Sequence, residues 1–256
     1  MLEIQMNRQF RIFKAIILMF ALQNNGMADT ELEFSSGNRQ VMLIELFTSQ
    51  GCSSCPPAEK WLHKFVDSRE LWREVVPVAY HVDYWDYLGW RDIFASNDHS
   101  NRQRQYRLLG NISSVYTPGF VVNGQEWKGW FRRKPLPAVR ESAGDLEARL
   151  RDRYLSVTYE ADVHDSLILN VAMLGFGIQT AVAAGENRGR NLPYEFVVLS
   201  HHKHYSDTAS WEVELPEINL ESGNRVGLAI WISQGASLIP IQATGTWLPD
   251  TYLAGQ

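Results

Sequence analysis

Two textures of apolar and polar positions divide the chain near residue 154. In the first, Val41 to Phe47 (VMLIELF) is a nearly unbroken apolar run, which reads as a buried strand. After a short turn, PPAEKWLHKFVDSRELW places Ala58, Trp61, Leu62, Phe65 and Val66 at helical spacing with charged residues between them. This predicts an amphipathic helix, and Pro56 and Pro57 are tolerable because they fall in its first turn, where few backbone N–H groups have partners to lose. VVPVAYHVD reads as a second buried strand, so strand, turn, helix and strand predict a βαβ unit with a parallel strand pair. Residues 86–114, rich in Trp, Tyr, Arg and Asn, are predicted as an insertion of one or two helices. VYTPGFVVNG then gives a strand at Phe120 to Val122 with an Asn123-Gly124 hairpin turn behind it, and EWKGWF is the expected return strand. Lys134 to Arg153 is predicted helical, with a weak point at Gly144.

From about Tyr154 the runs SVTYEADV, SLILNVAML, YEFVVLSHH, SWEVEL and RVGLAIWISQ are strand-like and separated by turn residues, with no long helix between them. That spacing predicts an antiparallel β-sandwich of about 100 residues. The expected organisation is an α/β domain with a helical insertion over 29–153, followed by an antiparallel β-sandwich domain over 154–256.

The leader changes the picture of where the chain works. Arg8, Arg11 and Lys14 precede the apolar run AIILMFAL, and Gly26 and Ala28 supply small residues before Asp29. This order predicts a secretory signal peptide over 1–28, and its apolar run is short of the ~20 residues a membrane span needs. A retained N-terminal anchor is the alternative. The expectation is a periplasmic or secreted bacterial protein without a membrane span in its mature part. Removing 1–28 takes away three basic residues and one acidic one, moving the net charge from −5 to −7. An acidic chain has no basic footprint for nucleic acid, and in an oxidising compartment disulfides persist.

Only two cysteines occur, Cys52 and Cys55 in TSQGCSSCPP, between the first strand and the helix. As a structural bridge so short a loop would remove little entropy from the unfolded chain. As metal ligands two thiolates leave a site half-filled, although His81 could complete a Cu(I) site with Cys52 and Cys55. As a redox couple, Cys52 at a helix start gains a stabilised thiolate and acts as nucleophile, and Cys55 one turn inward resolves the mixed disulfide. The order strand, Cys-x-x-Cys, helix, strand, Thr-Pro and hairpin is that of a thioredoxin-like domain, with Pro118 as the expected cis proline and Thr117 offering backbone groups to a substrate. Glu45, seven residues before Cys52, is a candidate acid for the proton of the second cysteine, against the alternative of a solvent-facing strand residue. No cofactor is required by this chemistry.

ELFTSQGCSSCPPAE, HVDYWDYLGWRDIFAS, NRQRQY, VYTPGFVVNG and GENRGRNL together resemble the domain of unknown function 1223 family, exported bacterial proteins. The resemblance implies a thioredoxin-like fold and says little about activity. Members usually carry Gln after the Tyr-Thr-Pro motif, where this chain has Gly119, a departure that would alter contacts beside Pro118. In HVDYWDYLGWRD, Asp83, Tyr84, Trp85 and Trp90 follow the second strand, whose C-terminal end should lie near the cysteines, so they are candidates for a substrate wall. The alternative is that these aromatics pack the inserted helices while His81 and Asp83 satisfy each other. GENRGRNL has the composition of a turn and lacks the strand-to-helix context of a nucleotide site. The function expected is thiol-disulfide exchange, with protein or small-molecule thiols and disulfides as partners. The alternatives are a Cu(I)-handling protein and a non-catalytic interaction protein.

Overall fold

The computed structural model describes residues 31–140, 142–160, 166–220 and 223–252; the predicted signal peptide lies outside them. The chain opens with β1 (Glu31–Ser35), whose residues alternate in exposure. The apolar run becomes β2 (Met42–Thr48), buried along its whole length. The prolines open α1 (Pro56–Leu62), a helix of two turns that tightens into a 3-10 turn at His63–Phe65. β3 (Val75–His81) pairs with β2 in parallel, Thr48 opposite His81. A 3-10 turn at Asp83–Leu88 leads to α2 (Asn97–Leu108), capped by the Ser96 hydroxyl, which accepts from His99 N–H. β4 (Gly119–Val122) pairs antiparallel with β2 and turns back into β5 (Gln125–Glu126).

The second half is built of strands. They are β6 (Leu146–Arg151), β7 (Tyr154–Tyr159), β8 (Leu167–Phe176), β9 (Ile178–Ala181) and β10 (Asn191–Tyr194). β11 (Val197–Ser206), β12 (Ser210–Glu214), β13 (Arg225–Gln234) and β14 (Gln242–Trp247) complete the set. Among the described residues no helix is long and apolar enough to cross a membrane.

The predicted fold class, an α/β thioredoxin-like domain with a helical insertion followed by a separate antiparallel β-sandwich, is not the one that forms. The structure is mostly β, and its central feature is one eight-stranded mixed sheet, β14-β13-β8-β11-β3-β2-β4-β5, that draws four strands from each half of the sequence. The join is the parallel contact of β11 with β3, where Ala79 N–H donates to Phe196 C=O at 2.8 Å. A four-stranded antiparallel sheet, β1-β6-β7-β12, takes its edge strand from the N-terminal segment. β9 and β10 form a separate ribbon.

The reason lies in the two long strands β8 and β13, which are buried on both faces. In β8, Leu169, Val171 and Met173 pack against the four-stranded sheet, while Ala172, Leu174 and Phe176 face a core shared with β2, β3 and α1. β13 divides likewise, with Leu228, Ile230 and Ile232 on one side and Ala229 and Trp231 on the other. A strand apolar at both parities needs a cover on each face, and burying such side chains is worth about 1.5–3 kcal/mol apiece. The first half of the chain supplies one of those covers.

The helix predicted over Lys134 to Arg153 is also corrected, since its C-terminal part is the strand β6. In Leu-Glu-Ala-Arg-Leu-Arg, residues 146, 148 and 150 are buried and 147, 149 and 151 exposed, the period of two that a half-buried strand requires.

Candidate functional site

Strand parity decides which residues can meet the cysteines. Side chains at successive positions of β2 point to opposite faces. Thr48 lies on the face that carries α1, where its side chain reaches Cys55. Glu45 and Phe47 point to the opposite face, against α2. There Arg102 Nε donates to Glu45 Oε1 at 2.5 Å, and the Tyr106 hydroxyl donates to Glu45 Oε2. Glu45 therefore sits in a buried ion pair away from the thiols, and no hydrogen bond joins it to either cysteine. His81, paired with Thr48, is on the cysteine face; its Nδ1 lies 2.7 Å from Asp92 Oδ2, and its Nε2 is buried without a partner.

Cys52 and Cys55 are free thiols and both are buried, at 0% and 1% exposure. Their environments drive them apart. Cys52 is lowered from 9.0 to about 6, first by the hydrogen bond from the Cys55 thiol, against the opposing effect of burial, and then by Ser54 and Thr117. Cys55 is pushed well above the usual thiol range by burial and by its neighbour Cys52. Ser54 Oγ stands 3.3 Å from Cys52 Sγ. These local donors stabilise the thiolate, where the sequence had pointed to the helix dipole. The Thr117–Pro118 peptide is cis, and the Thr117 hydroxyl accepts from Trp85 Nε1 at 2.7 Å.

The predicted aromatic wall divides. Trp85 lies against the cysteine turn, 3.3 Å from where a Cβ on Gly51 would stand. Trp90 Nε1 donates to Gln50 Oε1 at 2.9 Å, just before that turn. The Tyr84 hydroxyl donates to Gln103 at 2.9 Å; burial, then the charges of Cys55 and Cys52, push its pKa up. Asp83 is drawn away to the start of α2, where it accepts from Ser100 Oγ at 2.5 Å, so it pairs with Ser100 and not with His81. The partner of His81 is Asp92. Burial opposes the charged forms of both, yet their mutual attraction wins, holding His81 above and Asp92 below their ordinary ranges. Asp92 Oδ2 also accepts Gln50 N–H at 2.9 Å, which anchors the cysteine turn. Among the described residues no three His, Cys, Asp or Glu side chains are grouped to hold a metal ion.

The residues missed by sequence reasoning come from the turn in GENRGRNL. Asn187, completely buried, donates its amide to Gln50 C=O and Cys52 C=O, both at 2.9 Å. Glu186 accepts from Ser53 N–H at 2.9 Å and from Ser53 Oγ at 2.7 Å, and these bonds hold its carboxyl low. Gly185 adopts φ +72° and brings this loop to Gly51, whose Cα lies 3.8 Å from where a Gly185 Cβ would stand. A turn from the second half thus caps the thiols of the first. The sequence signals were its place among the motifs of the family resemblance and its polarity beside strands of high apolar content.

Residues 43–233 match the model of a family described as protein of unknown function (DUF1223). The chain belongs to the DUF1223 family. A protein of Agrobacterium tumefaciens, AGR_C_4864, is similar in crystal structure at 26% identity and a TM-score of 0.58, over 80% of this chain and 94% of that one. HBP35 of Porphyromonas gingivalis matches at 14% identity and a TM-score of 0.51, over 86% of this chain and 79% of that one, a likeness of fold alone. No curated protein matches this DUF1223 chain. The matched span runs from β2 to β13, and so includes both the cysteine turn and the loop that caps it.

Proposed function

We propose that this DUF1223 protein is a thiol-disulfide oxidoreductase whose working couple is Cys52 and Cys55. The observation that carries the reading is the opposed tuning of two adjacent buried thiols, one lowered to about 6 and its neighbour raised. Such a pair has one nucleophile and one proton donor at neutral pH. In the reducing direction, the Cys52 thiolate attacks one sulfur of a substrate disulfide, and the substrate S–S bond breaks as a Cys52–substrate disulfide forms. The leaving thiolate departs. Cys55 then loses its proton and attacks Cys52 sulfur, expelling the second substrate thiol. Two electrons and the Cys55 proton pass to the substrate, whose other thiolate takes its proton from water, and Cys52–Cys55 becomes a disulfide. The reverse sequence oxidises a dithiol.

Burial of both sulfurs favours a small or extended substrate over a bulky one. The basic, apolar and small-residue order of the leader supports work outside the cytoplasm, where a disulfide couple has partners to exchange with.

The test is equilibration of the protein with glutathione buffers, followed by thiol trapping. The expected couple is reversible, with a potential between about −120 and −270 mV, the span of exchange catalysts. A pair that stays oxidised below about −300 mV would mark a structural bridge and overturn the reading.

A further inference from the structure

A cavity of about 510 Å³ opens beside Cys55, between α1 and the β10 segment. Its lining includes Cys55, Glu59, Lys60, His63, Arg190 and Tyr194. The volume is in the range of small-ligand sites.

Several polar groups on its wall lack hydrogen-bond or ionic partners. Glu59 stands four residues after Cys55 and so shares its helix face. It is 2% exposed, and neither carboxylate oxygen has a hydrogen bond. His63 Nε2 lies 3.8 Å from Glu59 Oε2, beyond hydrogen-bond reach, and is itself without a hydrogen bond. A carboxylate so buried costs free energy unless something pairs with it. On the exposed side, Lys60 has no ionic partner among the described residues. Arg190 reaches only the neutral Asn187 side-chain carbonyl, at 2.6 Å. The wall therefore holds an acid without a hydrogen bond at depth, two cations without an ionic partner at the rim, and Cys55.

We infer that this cavity binds an α-amino-acid thiol or disulfide of the cystine type, its ammonium on Glu59 and its carboxylate on Arg190 and Lys60. The inference rests on the redox reading for its substrate class and deepens it, since Cys55, the resolving thiol of the couple, lines the cavity that would hold the bound sulfur. Glu59 and Arg190 are binding residues that orient the ligand; the exchange itself belongs to the thiols.

Two measurements test it. The first is calorimetric titration of the protein with lanthionine, the thioether analogue of cystine, which cannot exchange. Saturable heat is expected, and Glu59→Gln should weaken binding about ten- to a hundredfold, the effect of one charge-assisted hydrogen bond. The second compares oxidation of the reduced protein by cystine, by cystamine, which lacks the carboxylates, and by uncharged hydroxyethyl disulfide. The expected order of kcat/KM is cystine, cystamine, hydroxyethyl disulfide, and Arg190→Ala should erase the step between the first two. Heat with lanthionine but no exchange with any disulfide would keep the cavity assignment and sink the redox reading. Equal rates with all three disulfides and no heat would overturn the cavity assignment while the redox reading stands.

Discussion

The two faces of β2 each bury an acid, and the contrast between them separates architecture from chemistry. On the α2 face, Glu45 is paired with Arg102 and Tyr106, and the guanidinium lies between the rings of Tyr80, Tyr106 and Trp231 at 5.3 to 5.5 Å. On the α1 face, the oxygens of Glu59, Nε2 of His81, Nε2 of His63 and Oγ1 of Thr48 are all buried without hydrogen bonds. In the first, both carboxylate oxygens are bonded and tie α2 to the sheet, although Arg102 Nη1 is left without a hydrogen bond. The second is incomplete, lies around Cys55, and borders a cavity. Both oxygens of Glu45 are bonded whereas neither oxygen of Glu59 is, and that difference marks the α1 face as the one where a ligand would complete the structure.

Making the same substitution on both acids should give the largest difference. Glu45→Gln leaves Arg102 buried with a weakened partner and is expected to cost about 3–5 kcal/mol in urea unfolding. Glu59→Gln replaces a buried carboxyl group that makes no hydrogen bond, and the expected outcome is neutral or stabilising. A similar loss at both sites would erase the distinction drawn between the faces.

A smaller effect is expected at the cap. Asn187→Ala strips the donor from Gln50 C=O and Cys52 C=O, at a cost of about 1–3 kcal/mol. The same change loosens the loop over the thiols, so alkylation of Cys52 by iodoacetamide should accelerate. An unchanged rate would mean that this loop does not limit access.

The smallest expected effect is on the proton equilibrium of Cys52. Its thiolate is held down to about 6, so alkylation should rise with pH through that value and level off near neutrality, where an ordinary thiol would still be climbing toward 9.0. Ser54→Ala removes one donor to the thiolate and raises the midpoint. At pH 6 the rate should fall roughly fivefold, the consequence of losing about 1.4 kcal/mol of hydrogen bonding. A midpoint that stays put would assign the tuning to Cys55 and Thr117 alone.

Much was legible in the sequence because it is written in local pattern. The apolar runs at 41–47 and 75–81, the Pro-Pro helix start and the Asn-Gly turn specify strands, helix and hairpin through short-range sterics and periodicity. The Cys-x-x-Cys spacing puts two thiols one helical turn apart, and family membership followed from motifs spread along the chain. Even β6 was readable, since its alternation of apolar and charged residues is that of a strand.

The tertiary structure decided what depends on which faces meet. No local signal says that β11 docks on β3, because edge-to-edge pairing uses backbone hydrogen bonds that any strand can offer; that single pairing puts strands of both halves of the chain in one sheet. Nor does sequence alone show which parity of β2 faces α1. Glu45 was a candidate for the chemistry of the cysteines, and the pleat sent it to Arg102, while Glu59 of α1, which the sequence did not single out, lies in the cavity wall with Cys55. The loop at 185–190 reaches Cys52 across more than 130 positions of chain, held by hydrogen bonds that form only after the sheet has brought its two halves together.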